Sequence, residues 1–151
     1  MQVKTVIHND YEEMEIHVCN REKTPGVVEV AKQIDRMFNL TFSGTDVHGG
    51  RMIRADRVIR FYSNNQNVYA QDNIGEARIP YKLYELEEKL DERQFFRISK
   101  SEIVNLKKIK RLDMSVSGTI KVIFADDSFS YTSRRNVTRL KVALGYKRGE
   151  K

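Results

Sequence analysis

The densest chemistry in the sequence lies between residues 95 and 111, Phe-Phe-Arg-Ile-Ser-Lys-Ser-Glu-Ile-Val-Asn-Leu-Lys-Lys-Ile-Lys-Arg. Phe96 and Ile98 can point inward from a strand while Arg97 points away. Ser99, Lys100 and Ser101 then make a small polar loop, and Ser101 can cap a short helix over 101–106 that Ile103, Val104 and Leu106 anchor. That leaves Lys100 at an exposed elbow. A long cation on an anchored loop can reach a groove floor, and the hydroxyls beside it suit phosphate oxygens. Asn105 is expected to be structural, its side chain fastening the loop backbone. Lys107, Lys108, Lys110 and Arg111 extend the charge, either as a phosphate-facing row or as an ordinary solvated face.

The charge of the whole chain says the same. Residues 1–44 carry 5 Lys/Arg against 7 Asp/Glu, residues 45–92 carry 7 against 9, and residues 93–151 carry 15 against 5. The net charge of +6 therefore comes entirely from the last two-fifths of the 151 residues. A concentrated basic segment is the electrostatic footprint of a polyanion partner such as nucleic acid, and on charge alone a solvated basic surface with no partner or a face for an anionic membrane fits equally.

Other chemistries find no support. No Gly-rich loop precedes a Lys-Ser/Thr pair, and no two histidines stand at metal-ligand spacing. His17 and Cys19 share one face of an expected strand, but a lone pair of this kind reads as packing. Asp126-Asp127 reads as a turn. A single cysteine excludes an internal disulfide and any Cys-based metal cage. No catalytic residue, metal site or cofactor is expected. The longest apolar run is Val122-Ile123-Phe124-Ala125, whereas a membrane span needs roughly 20 residues. The start, Met1-Gln2-Val3-Lys4, lacks the pattern of a signal peptide. The cytoplasm is the expected location.

The elements that must position these residues follow from periodicity. Residues 3–8 and 14–19 read as strands, the second through Met14, Ile16 and Val18 alternating with Glu15 and His17. Thr24 is an N-cap candidate with Pro25 at the first helical position, and Val27, Val30, Ala31, Ile34, Met37 and Phe38 supply one apolar face. The small polar tract Ser43-Gly44-Thr45-Asp46 reads as a boundary between an element over 1–43 and a domain over 45–147. Beyond it, strands are expected at 51–53, 58–62, 67–71, 77–79, 95–98, 109–114, 119–124 and 129–132, with a helix over Leu83–Leu90. A last helix over Arg134–Leu144 ends at Gly145. The expected fold class is mostly β with short helices, preceded by a small strand–strand–helix attachment.

The order of these motifs resembles the LytTR DNA-binding domain family. An aromatic-Arg pair, a short polar loop with Ser, and then Val-Asn carry the resemblance at Phe96-Arg97, Ser99–Ser101 and Val104-Asn105. Asp56–Tyr62 looks like the family's opening strand, Leu83–Leu90 its helix before Phe-Arg, and Ser133-Arg134-Arg135-Asn136-Val137 its late Ser-Arg helix start. The match covers roughly residues 45–146; the first 44 lie outside it and do not resemble a receiver domain.

The resemblance implies a ten-stranded β fold that reads major grooves of double-stranded DNA through loops and not through a recognition helix. By position it assigns base contacts to Asn67, Val68, Lys100 and Arg135, although Val68 departs from the polar residue expected there and could touch only a thymine methyl. Gln66 or Asn67 could substitute for it. Phosphate contacts fall to Arg97, Ser99, Ser101, Ser133, Arg134, Lys107 and Lys108. The expected function is a sequence-specific transcriptional regulator that occupies paired or tandem short motifs as a homodimer. Residues 1–43 would serve dimerisation or signal input, and a restraining membrane protein is a further partner by resemblance. The alternative is a non-catalytic interaction module whose basic face binds an acidic protein.

Overall fold

The computed structural model describes residues 16–115 and 118–146, for residues 36–38 the backbone alone. The chain divides into an N-terminal unit, residues 1–36, and a second unit, residues 37–151. The N-terminal unit is built on helix α1, Pro25–Phe38. Thr24 starts it as the sequence predicts: its Oγ1 accepts the Val27 N–H at 3.3 Å and its carbonyl accepts the Val28 N–H at 3.1 Å. The strand expected over 3–8 lies outside the described residues. The described part of the strand expected over 14–19, Ile16–Cys19, is irregular. Alternation alone does not hold a strand, and here Ile16 and Val18 stay 49% and 37% exposed, so the apolar face is not buried.

The second unit runs β1 (Thr41–Asp46), β2 (Gly49–Arg54), β3 (Arg60–Asn64), β4 (Asn67–Gln71), β5 (Glu76–Ile79), α2 (Leu83–Lys89), β6 (Phe95–Ser99), β7 (Glu102–Asn105), β8 (Ile109–Asp113), β9 (Thr119–Phe124), β10 (Phe129–Ser133) and α3 (Arg134–Ala143). These ten strands form a seven-stranded sheet in the order β2-β1-β5-β4-β3-β7-β6 and a three-stranded sheet in the order β10-β9-β8. Tight turns set the registers. Asn65 and Gln66 both take positive φ, 47° and 67°, so a two-residue turn closes β3 onto β4 with Asn64 opposite Asn67. Gly145, at φ +89°, stops α3 where the sequence places the stop.

Two expectations are corrected. The tract read as a boundary, Ser43–Asp46, is the greater part of β1, which lies between β2 and β5 inside the large sheet. Gly44 is small for a packing reason: a Cβ there would meet Ile53 Cδ1 at 2.6 Å and Ala77 Cβ at 3.1 Å. The helix expected over 101–106 is strand β7 followed by a 3-10 turn at Leu106–Lys108. Its residues are buried on both sides, so adjacent apolar residues face different cores. A helix would have put them on one face.

Those two cores explain the architecture. In one, Phe42, Phe61, Leu86, Phe95 and Ile103 pack between the large sheet and α2. In the other, Ile98, Val104, Val122, Phe124 and Leu140 join the large sheet to the small sheet and α3. Strands β6 and β7 supply both, so their connecting loop is anchored from two cores. Among the described residues no helix is long and apolar enough to cross a membrane.

Candidate nucleic-acid interface

The loop between β6 and β7 is fixed by its own hydrogen bonds. The Ser101 N–H donates to Ser99 Oγ at 3.2 Å, and the two hydroxyls lie 3.3 Å apart. Arg97 reaches under the loop: its Nε donates to the Ser99 carbonyl at 2.7 Å, its Nη2 to the Lys100 carbonyl at 2.5 Å, and its Nη1 pairs with Glu87 at 2.5 Å. All three guanidinium nitrogens are thus engaged, and Arg97 acts as the loop's internal brace. Lys100 stands exposed at the tip.

Two distant segments meet this loop. The Ser63 N–H donates to the Ser101 carbonyl at 2.8 Å, which sets the β3–β4 turn beside it. Thr132 Oγ1 and Asn136 Nδ2 both donate to the Ile98 carbonyl, at 2.8 and 2.9 Å, which sets the start of α3 beside it as well. Arg134 and Arg135, the first two residues of α3, are exposed, and Ser133 before them contributes no side-chain cap bond. Asn67 is half-buried at the first position of β4, its Nδ2 donating to the Asn65 carbonyl at 3.2 Å. Lys100, Asn67, Ser99, Ser101, Ser133, Arg134 and Arg135 therefore share one end of the fold.

Val68 does not present itself there. It is 4% exposed and part of the core under α2, because alternation along β4 turns Val68 and Ala70 inward while Asn67, Tyr69 and Gln71 face out. No thymine methyl can reach it. Lys107 and Lys108 are also placed elsewhere. Their 3-10 turn leaves the far end of β7, where the Lys108 carbonyl accepts the Ala125 N–H at 2.8 Å beside the Asp126-Asp127 turn. Asn105 is structural as expected, though its partners lie on other elements: buried, it donates to the Val58 carbonyl at 2.8 Å and accepts the Lys107 N–H at 3.1 Å.

Three further cations are not marked by the sequence, one at the clustered end and two away from it. Lys82, just before α2, places its Nζ 3.5 Å from the Gln66 carbonyl. Lys121 faces Tyr131 across the β9–β10 ladder, and its ammonium lies 4.0 Å from the Phe129 ring centre, toward the Asp126-Asp127 turn. Arg60 ties the sheets together beneath: its Nε donates to Gln71 at 2.6 Å, and its Nη1 donates to Glu102 at 3.0 Å and Ser130 at 2.8 Å. Only strand alternation could have pointed to Lys121, and nothing local marks Lys82 or Arg60. On the same sheet face Tyr62 stacks on Tyr69 with ring centres 5.4 Å apart. Burial, with a hydrogen bond to Glu76, pushes the Tyr62 phenol up to about 12, so it stays a neutral donor.

A rigid end bearing cations and hydroxyls from separate loops can follow a polyanion backbone and place long donors between its phosphates. Comparison with known proteins agrees. The LytTr DNA-binding domain family matches residues 49–145. Two Staphylococcus aureus proteins named as uncharacterized HTH-type transcriptional regulators, from strains NCTC 8325 and COL, are 31% identical over 124 residues, 82% of this chain and 82% of theirs. No helix-turn-helix occurs among the described residues, since strands separate α1, α2 and α3. The LytTr DNA-binding domain of a Bacillus cereus protein described as a methyl-accepting/DNA response regulator superposes with a TM-score of 0.64 at 19% identity, covering 70% of this chain and 97% of that one. The chain belongs to the LytTr DNA-binding domain family, and residues 49–145 are its DNA-binding domain.

Proposed function

We propose that this chain is a cytoplasmic transcriptional regulator that reads duplex DNA sequence-specifically with the clustered end of its β fold. One observation carries the reading: three segments distant in sequence converge there, through Ser63 on Ser101 and Thr132 and Asn136 on Ile98. Arg135 and Lys100 are the base readers, since both can donate to guanine O6 and N7 in a major groove. Asn67 or its neighbour Gln66 takes the third position. Ser99, Ser101, Ser133, Arg134 and Lys82 hold phosphates. Arg97 acts indirectly, by bracing the loop.

Binding as a homodimer on paired motifs is part of the proposal, with the N-terminal unit as the dimerising or signal-sensing element. Helix α1 supports this, because Val27, Val28, Val30 and Ile34 on it are only half-buried. A membrane protein that restrains the regulator is a further proposed partner. Selection of bound sites from random duplexes tests the reading. The expected result is two similar short motifs about one helical turn apart. Recovery of no enriched sequence would overturn it.

A further inference from the structure

Ile98 occupies an irregular place in β6. The register with β7 shifts between Arg97 and Ser99, which takes Ile98 out of the regular ladder. A buried carbonyl in that position needs partners, and it receives two side chains from one segment: Thr132 Oγ1 at 2.8 Å and Asn136 Nδ2 at 2.9 Å. Ile98 lies two residues before Lys100, and Asn136 directly follows Arg135. We infer that Thr132 and Asn136 are positioning residues that fix the separation between Lys100 and Arg135, and so set the base spacing the pair can read. The inference rests on the proposed reading of duplex DNA.

Each cation already has a firm mount of its own. Arg97 and Ser63 hold the Lys100 loop from its other sides, through the Ser99, Lys100 and Ser101 carbonyls. Leu140, fully buried, seats α3 in the second core. The second core, which Ile98 and Leu140 share, and the Arg139 guanidinium over the Phe96 ring bring β6 and α3 together without a directional bond. The Ile98 carbonyl joins them directly. Its loss would leave both elements folded and allow one to slide against the other.

The test uses the full chain and uncharged replacements, so that attraction to phosphates is unaltered. Thr132→Val and Asn136→Leu remove the donors; Thr132→Ser keeps the hydroxyl, and Asn136→Gln keeps the amide but moves it by one methylene. Affinity is measured on the selected duplex, on a scrambled one, and on one with a base pair inserted between the two contact positions. Thr132→Val and Asn136→Leu should each weaken selected-site binding by about tenfold, leave scrambled-site binding within about twofold, and erase discrimination against the respaced duplex. Thr132→Ser should restore discrimination. Asn136→Gln should lose it with no change in melting temperature, which covers the case of a Leu variant that unfolds. Equal losses on selected and scrambled duplexes, or intact discrimination against the respaced one, would overturn the inference. Amide exchange at residues 99–101 in the free protein should quicken in Asn136→Gln, and unchanged exchange would overturn the link without reference to DNA. Wild-type chain that binds selected and scrambled duplexes alike would instead overturn the DNA reading.

Discussion

A guanidinium discriminates between bases only when its carrier stays still, and Arg135 sits in the first turn of a helix that Leu140 pins into the core. Arg135→Ala should cost about 1–3 kcal/mol on the selected duplex and relax preference at one guanine. Lys100→Ala should do the same more weakly, because an ammonium cannot form the planar fork. A direct titration of both variants on selected and scrambled duplexes checks this; equal losses on the two would make these residues phosphate contacts. Lys107→Ala should leave both affinities nearly unchanged, since Lys107 leaves β7 at the opposite end from Lys100. At this scale the sequence was partly legible. The polar loop and the Ser-Arg helix start announce themselves by residue type. Val68 was assigned to DNA by position within the family, although the alternation of its own strand already turns it inward. Lys107 and Lys108 looked continuous with Lys100 because nearness in sequence says nothing about which end of a strand a residue occupies.

Strands and helices carry predictions of their own. Most boundaries were legible because period-2 runs and Asn/Asp turns state them locally; β4 and β9 fall on the residues expected. Strand β7 was not, since Glu-Ile-Val-Asn fits a short helix unless one knows that two cores flank it. Neither was β1, because Ser-Gly-Thr-Asp reads as loop chemistry until Gly44 is seen to admit Ile53 and Ala77. Gly44→Val should therefore destabilise the fold by about 1–3 kcal/mol through overpacking, measurable as a shifted denaturation midpoint. A second clip holds the β4–β5 loop. Arg51 grips Asp72 with Nη1–Oδ2 at 2.7 Å and Nη2–Oδ1 at 3.1 Å, and Asp72 Oδ1 also accepts the Ile74 and Gly75 N–H groups. Burial alone pushes this carboxyl up, but these hydrogen bonds outweigh it and hold it below the ordinary value. With the folded value depressed, the contribution is present above about pH 4 and fades as pH falls through the folded value. Wild type should thus melt well above Asp72→Asn at neutral pH, and the gap should narrow in acid. A constant gap would mean that Asp72 stabilises by shape and not by charge.

Across the second unit, the cations at the two ends of β7 differ in their neighbours. Lys82, Lys100, Arg134 and Arg135 gather at the converging loops, whereas at the other end Lys108 and Lys110 lie beside the Asp126-Asp127 turn, with Lys110 paired to Asp127 at 2.8 Å. With roughly four to six phosphates neutralised, the logarithm of affinity should fall with the logarithm of salt at a slope of about −4 to −5. A flat dependence would remove the electrostatic part of the reading. The boundary between the units gives the last prediction. A fragment beginning at Gly44 loses Thr41, Phe42 and Ser43, which pair with Arg54, Ile53 and Met52. It also loses the Phe42 ring, whose centre lies 5.5 Å from both Phe61 and Tyr81. That fragment should not fold stably. A fragment beginning at Met37 keeps all of β1 and should melt cooperatively, so it isolates the contribution of residues 1–36. If those residues join two copies, their removal eliminates the gain from tethering one bound domain to the next. The Met37 fragment should then bind a single half-site about as well as the full chain and a two-site duplex markedly less well. Parallel titrations of both duplexes decide it. Equal loss on the two would assign the N-terminal unit to the stability of the domain, and no loss on either would leave signal input as its role.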